Sequence, residues 1–257
     1  MPRIIAIINQ KGGVGKTTTT TNLCHALAIM GKKVTIIDFD PQGHLGISLG
    51  VTSRDVTGID LALIKEKNIE EQIISVRDNL QLIAAGSKLK DIEQMAGAGA
   101  PRGVLLRDAL RGQLTDQDFI FIDCPPSSGL LVANALIATS EVLVPMTSDF
   151  LALQGLSHLM NTVKRFEGAL KKHYKISVVI SRYVSTRRIS DQVLDVLLGH
   201  FPNQILATVI RETALLAECP SFGQTIFEYS PKSRSARDFR SLAQDFLENR
   251  VMRDDNR

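Results

Sequence analysis

Five apolar residues, Ile4-Ile5-Ala6-Ile7-Ile8, run straight into Asn9-Gln10-Lys11-Gly12-Gly13-Val14-Gly15-Lys16-Thr17-Thr18, and a helical pattern begins at once and lasts until Gly31. A strand that is apolar without alternation is one covered on both faces, and glycines at a strand-to-helix turn allow backbone geometries closed to other residues. The same kind of run recurs at residues 34–37, 80–84, 119–122, 142–144 and 176–180, with helical stretches at 17–30, 129–138, 151–170 and 191–198 between them. Alternation of this kind predicts an α/β fold, a mostly parallel twisted sheet with helices on both faces and right-handed crossovers.

Size and composition allow such a fold in one domain spanning 1–257. A chain of 257 residues can bury a large core, and no linker-like shift in composition divides it. Residues 52–79 and 86–118 hold helical fragments broken by Gly97, Gly99, Pro101 and Gly103, and no chemistry is assigned there. Residues 235–251 set Phe239, Leu242, Ala243, Phe246 and Leu247 on one helical face, the pattern of a docked terminal helix. No apolar run reaches bilayer length, and the few residues before the first strand are too short for a signal peptide, so the expected location is cytoplasmic. Cys24, Cys124 and Cys219 are widely spaced, which suits small core residues and suggests neither disulfides nor a zinc site.

The loop is the chemical centre. Strand, glycine-rich turn and helix N-terminus together surround phosphate oxygens with backbone N–H groups and add the helix dipole, the arrangement of a P-loop. The binding residues are Lys11, Gly12, Gly13, Val14, Gly15, Lys16, Thr17 and Thr18. In this pattern Lys16 reaches the β- and γ-phosphates and Thr17 coordinates Mg²⁺, so ATP and Mg²⁺ are the expected cofactors. The loop departs from G-x-x-x-x-G-K-[ST] in that Gln10 occupies the first glycine position and Lys11 follows it.

This K-G-G-V-G-K-T version resembles the deviant Walker A loop of the ParA/MinD ATPases, which implies a P-loop NTPase fold and a role for Lys11 across a dimer, at the partner's nucleotide. The likeness continues through Asp38-Phe39-Asp40-Pro41-Gln42-Gly43, similar to the family's switch I, and Asp123-Cys124-Pro125-Pro126, similar to its Walker B and switch II. Asn134-Ala135-Leu136, Leu151-Ala152-Leu153-Gln154-Gly155-Leu156, Glu218-Cys219-Pro220-Ser221-Phe222-Gly223 and Tyr229-Ser230-Pro231-Lys232-Ser233 also match family stretches. The P-Q-G segment and short N-terminus resemble the Soj-like ParA branch, which lacks an N-terminal helix-turn-helix domain. On this resemblance Lys11, Lys16 and Asp40 are catalytic, with Asp40 positioning the attacking water. Asp123 holds Mg²⁺ through water alongside Thr17, and Asp38 stands behind the metal's ligands. His44 stands where many members carry Asn and is read as an exposed loop residue.

Charge is uneven: residues 1–157 carry 14 Lys/Arg against 16 Asp/Glu, net −2, and residues 158–257 carry 16 against 11, net +5. The excess centres on Lys164, Arg165, Lys171, Lys172, Lys175, Arg182, Arg187 and Arg188, a patch that could meet phosphates or anionic lipid. The resemblance implies non-specific double-stranded DNA binding by the ATP-bound homodimer on the nucleoid, with Arg187, Arg188, Arg211, Lys232 and Arg234 as leading candidates and Lys171, Lys172 and Arg237 behind them. It further implies a ParB-like or other cargo-bound adaptor that stimulates hydrolysis, the cargo being a chromosome, a plasmid or a protein assembly such as a carboxysome or chemoreceptor cluster. The competing reading is a MinD-like regulator on the membrane. There the basic C-terminal helix would lie on lipid, although Asp254 and Asp255 offset Arg250 and Arg253. A metal-cluster carrier would need cysteines spaced around a dimer axis, and a ligase phosphorylating a small carboxylate would not need Lys11.

Overall fold

The computed structural model describes residues 1–51, 57–94 and 100–252, without the side chains at 100, 101, 150, 151 and 188. In chain order the strands and helices are β1 (Arg3–Ile7), α1 (Lys16–Ile29), β2 (Val34–Asp38), α2 (His44–Ser48), α3 (Ile59–Leu63), β3 (Ile73–Arg77), β4 (Leu80–Ile83), α4 (Leu89–Gln94), α5 (Leu105–Leu110), β5 (Phe119–Asp123), α6 (Leu130–Ala138), β6 (Glu141–Thr147), α7 (Phe150–Leu170), β7 (Lys175–Ser181), α8 (Arg188–His200), α9 (Ala214–Glu218), α10 (Ile226–Tyr229) and α11 (Arg234–Glu248). The strands form one seven-stranded sheet in the order β3-β4-β2-β5-β1-β6-β7. All pairings are parallel except β3 with β4. The expected α/β class, mostly parallel with both faces covered, is thus the one observed. Of the residues that break the helical pattern, Gly97 and Gly99 lie outside the described residues.

Each strand sends alternate residues to two different layers, which is why its run is apolar throughout. Ala6 of β1 and Ile8 just after it point with Ile37, Ile122 and Ile180 into a core closed by α3 to α8. Ile5 and Ile7 point with Ile36, Phe121 and Val179 into a second core closed by α1, α2 and the C-terminal helices. On α11, Ala236, Phe239, Leu242, Ala243 and Phe246 are all buried in that second core. Its apolar face is therefore occupied within the chain. Helix α7 is capped at its start by Asp149, which accepts from the Ala152 amide, and ends at Lys171 in the left-handed region.

The antiparallel edge strand β3 was not legible as a strand. Its residues Ile73, Ile74, Val76 and Arg77 are only half-buried, so the run lacks the continuous apolar character of the interior strands.

Parallel registration sets the functional end of the sheet. Ile7 lies beside Asp123 and Asp38 lies beside Asp123 on the other side, so the loop after β1 and the two carboxylates stand at the same carboxyl edge. That edge is where open α/β sheets bind ligands.

Candidate functional site

The loop leaving β1 is fixed from several directions. The Asn9 side chain accepts from the Lys11 amide at 3.0 Å and donates to the Pro145 carbonyl at 2.8 Å. Ser181, ending β7, donates to the Val14 carbonyl at 2.7 Å and the Met146 carbonyl at 3.0 Å. Arg182 donates to the Gly13 carbonyl at 3.2 Å while gripping Glu212. Gly13 and Gly15 have φ of 73° and 80°, a region in which side-chain-bearing residues are strained, and Gly15 is the residue from which α1 starts.

Below the loop, the Thr17 hydroxyl donates to Asp123 Oδ2 at 2.7 Å and the Thr20 hydroxyl to Oδ1 at 3.0 Å. Burial raises the Asp123 carboxyl to about 6, against the opposing influence of the two threonine hydroxyls and Lys16. Lys16 is itself mostly buried, and burial lowers its pKa while the Asp123 and Asp40 charges offset part of that. The site thus holds charges whose desolvation is only partly compensated, a state suited to receiving an anion and a cation together.

Asp38, expected behind the metal's ligands, binds the backbone that follows it. Its Oδ2 accepts from the Leu45 and Gly46 amides at 3.1 and 3.3 Å and its Oδ1 from the Asp40 amide at 3.3 Å, so both oxygens are bound to the switch I segment. Burial, and after it the Asp123 charge, pushes its carboxyl well above the usual range. Asp38 therefore fastens the segment that carries Asp40. The end of α2 is in turn backed by the turn at 219–223: a Cβ on Gly223 would lie 2.6 Å from Gly50 Cα.

A cavity of about 580 Å³ opens over this edge. Gly12, Gly13, Gly15, Lys16, Thr17 and Thr18 form its floor, Asp40, Gln42, His44 and Pro126 one rim, and residues 210–213 with Leu216, Ala217 and Phe239 the far wall. Of the residues expected at the nucleotide, Lys16, Thr17, Thr18 and Asp40 all line this cavity. His44 is exposed, as expected, but it opens α2 instead of lying in a loop, and it lines the cavity. Missed altogether were Ser181, Glu212, Thr213, Leu216 and Ala217, and Arg182 was read only as part of the basic patch. Ser181 and Arg182 stand at the end of β7 and the others on the segment that returns beside it, where Tyr183 and Arg211 form a parallel bridge, and no local motif announces them.

The basic candidates separate. Arg187, Lys232 and Arg234 are exposed, and Arg188, whose side chain is not among those described, opens α8. Arg211 instead lines the cavity and is held by Asp238 at 2.6 Å. Lys172 donates to the carbonyls of Leu136, Ile137 and Thr139, closing the C-terminal end of α6. Cys24, Cys124 and Cys219 are all buried, and burial and then the Asp123 charge push the Cys124 thiol well up.

The donor set fits a magnesium ion. A threonine hydroxyl and one carboxylate are hard oxygen ligands, and Mg²⁺ keeps several waters and shares substrate phosphates, so it needs no protein cage. No group of three or more His, Cys, Asp or Glu that could hold a metal occurs among the described residues.

Comparison with known proteins agrees with this geometry. The family model described as an AAA domain matches residues 2–176. The sporulation initiation inhibitor protein Soj of Bacillus subtilis is 38% identical over 252 residues, covering 97% of this chain and 100% of Soj. The chromosome partitioning protein ParA of Myxococcus xanthus is 37% identical over 248 residues, 95% of this chain and 88% of that protein. Among solved structures, cobyrinic acid a,c-diamide synthase from Mycobacterium smegmatis with bound ADP and magnesium superposes with a TM-score of 0.82 at 29% identity, covering 96% of this chain and 95% of that one. A likeness that extends from the lysine-bearing loop through both switch segments to the last helix leaves one assignment: the chain belongs to the ParA/MinD family.

Proposed function

We propose that this chain is an ATPase of the partitioning or positioning type. It closes into a homodimer around ATP, grips DNA without sequence preference in that state, and lets go after hydrolysis stimulated by an adaptor on its cargo. The observation that carries the reading is the placement of the two loop lysines. Lys16 lines the nucleotide-sized cavity, whereas Lys11 does not line it and stands in an adjoining cleft that shares Gly12, Gly13, Arg182 and Glu212 with it, a placement that suits a role outside its own nucleotide site.

In this reading the loop amides and Lys16 hold the β- and γ-phosphates, and the residues at 210–217 receive the base and ribose. Thr17 and Asp123 would hold Mg²⁺, which would supply charge neutralisation at the phosphates. Asp40, carried on the segment that Asp38 fastens, orients the attacking water. Lys11 from the partner adds positive charge where negative charge develops, as an arginine finger does. Since only ATP offers a γ-phosphate to both chains, hydrolysis shifts the population back to monomers.

Arg187, Arg188, Lys232 and Arg234 are the proposed DNA contacts, and Arg211 is withdrawn from that set because its guanidinium serves Asp238. The MinD-like reading is disfavoured because the apolar face of α11 is already buried in the core. Among the described residues no helix is long and apolar enough to cross a membrane.

Fluorescence anisotropy on a random-sequence duplex, with Mg²⁺ and ATP, ADP or no nucleotide at two salt concentrations, tests the reading. Salt-sensitive binding with ATP alone is expected, with the salt slope falling by about one for each phosphate-contacting residue replaced. Equal binding in all nucleotide states, or none with DNA and ATP-dependent binding to anionic vesicles, would reject it.

A further inference from the structure

Lys11 is held on its own chain by a residue that no sequence motif announces. Its Nζ lies 2.9 Å from each of the two oxygens of Asp149. Asp149 precedes α7 and is also fixed there, accepting from the Ala152 amide at 3.0 Å and from the Thr147 hydroxyl. The pair lines a cleft of about 250 Å³ with Thr147, Arg182, Arg187 and Ser190, which adjoins the cavity over Lys16 along Gly12, Gly13, Arg182 and Glu212. The other loop-side cation, Arg182, is taken by Glu212 and the Gly13 carbonyl. Asp149 therefore keeps two partners if Lys11 leaves, and Lys11 loses the one ionic partner it has among the described residues.

We infer that Asp149 is a positioning residue for Lys11: it parks the lysine on its own protomer, and this hold must be released before Lys11 can serve the nucleotide of a second copy, so Asp149 raises the ATP concentration at which the dimer forms. This rests on the ATP-dependent dimer proposed above. The hold is a weak one by construction. Both side chains are partly exposed, at 36% and 46%, and an ion pair of that kind shifts an equilibrium by about two- to fivefold. A latch of this strength adjusts a threshold without preventing closure. It also requires no rearrangement of α7, because its cap stays in place when Lys11 departs.

Asp149→Asn separates the latch from the cap, since Asn caps helices as well as Asp does while carrying no charge. Dimerisation of the full chain is followed by sedimentation velocity as a function of a non-hydrolysable ATP analogue with Mg²⁺. The midpoint for Asp149→Asn is expected about two- to fivefold below that of the unsubstituted chain. The gap should narrow as salt is raised, because an exposed pair is screened. A purely structural role would not produce that salt dependence. An unchanged midpoint, a higher midpoint, or a gap insensitive to salt overturns the inference. Absence of a dimer from either protein at saturating analogue removes the dimer reading itself, an outcome distinct from a normal dimer that the substitution leaves unmoved.

Discussion

Replacing Asp123 by Asn should make the nucleotide-free protein more stable and leave it unable to gain from Mg²⁺ and ATP. The carboxyl is raised from 3.8 to about 6 by burial. At roughly 1.4 kcal/mol per unit, keeping it ionised in the fold costs about 3 kcal/mol. Asn retains an acceptor for one of the two threonine hydroxyls but loses the charge in both bonds, which returns about 1–2 kcal/mol. A net gain of about 1–2 kcal/mol remains above pH 7, or a rise in Tm of about 2–6 °C for a chain of this size. The pH dependence gives the sign. Between pH 4 and 6 the folded protein holds a proton that the unfolded chain has released, so wild-type stability falls as pH rises through that window. Thermal unfolding without nucleotide or Mg²⁺ should therefore show the Asn variant ahead at pH 7.5 and level or behind at pH 5. With Mg²⁺ and ATP at pH 7.5 the order should reverse, as the wild type alone gains from the ligand. A variant less stable at pH 7.5, or equally favoured at both pH values, would show that Asp123 is not a burdened carboxylate.

Asp40→Ala should cut ATP turnover by about a hundredfold or more while nucleotide binding survives, leaving a trapped dimer in sedimentation; normal turnover would move water positioning to another residue. Lys172→Ala should lower stability by about 1–2 kcal/mol in chemical denaturation, because three carbonyls at the end of α6 lose a charged donor, and should leave DNA affinity unchanged. Weakened DNA binding with undiminished stability would return Lys172 to the DNA surface.

The sequence was most informative where structure is local. Six strands were readable because burial on both faces leaves a run with no polar alternation, and the phosphate loop because strand, glycines, lysine and helix start are contiguous. β3 escaped because an edge strand carries polar residues on a half-exposed face. The far wall of the cavity escaped for a different reason. Residues 210–213 are placed by hydrogen bonds to Ile180 and Tyr183 across a long stretch of chain, a pairing with no signature in either segment alone. Asp149 is likewise an ordinary helix cap in sequence, and only the fold brings it to Lys11.

Charge illustrates the same limit. The basic run from Lys164 to Arg188 reads as one patch, yet the fold divides it. Lys172 is turned onto α6, Lys175 lies 3.9 Å from Glu141, and Arg182 is bound to Glu212. A linear excess of cations is thus a poor guide to a surface, because helix ends and strand neighbours recruit the same groups. What survives near the loop is Arg187, and it lines the cleft that holds Lys11 and Asp149. A side chain proposed to touch DNA therefore shares walls with one proposed to reach a partner's nucleotide. Movement of Lys11 off Asp149 changes the charge within that cleft, from a neutralised carboxylate to a free one beside Arg187. In the proposed dimer that carboxylate would draw Arg187 toward itself and away from DNA, so among the proposed contacts Arg187 should contribute least in the ATP-bound state, and Lys232 and Arg234 should carry more of the affinity.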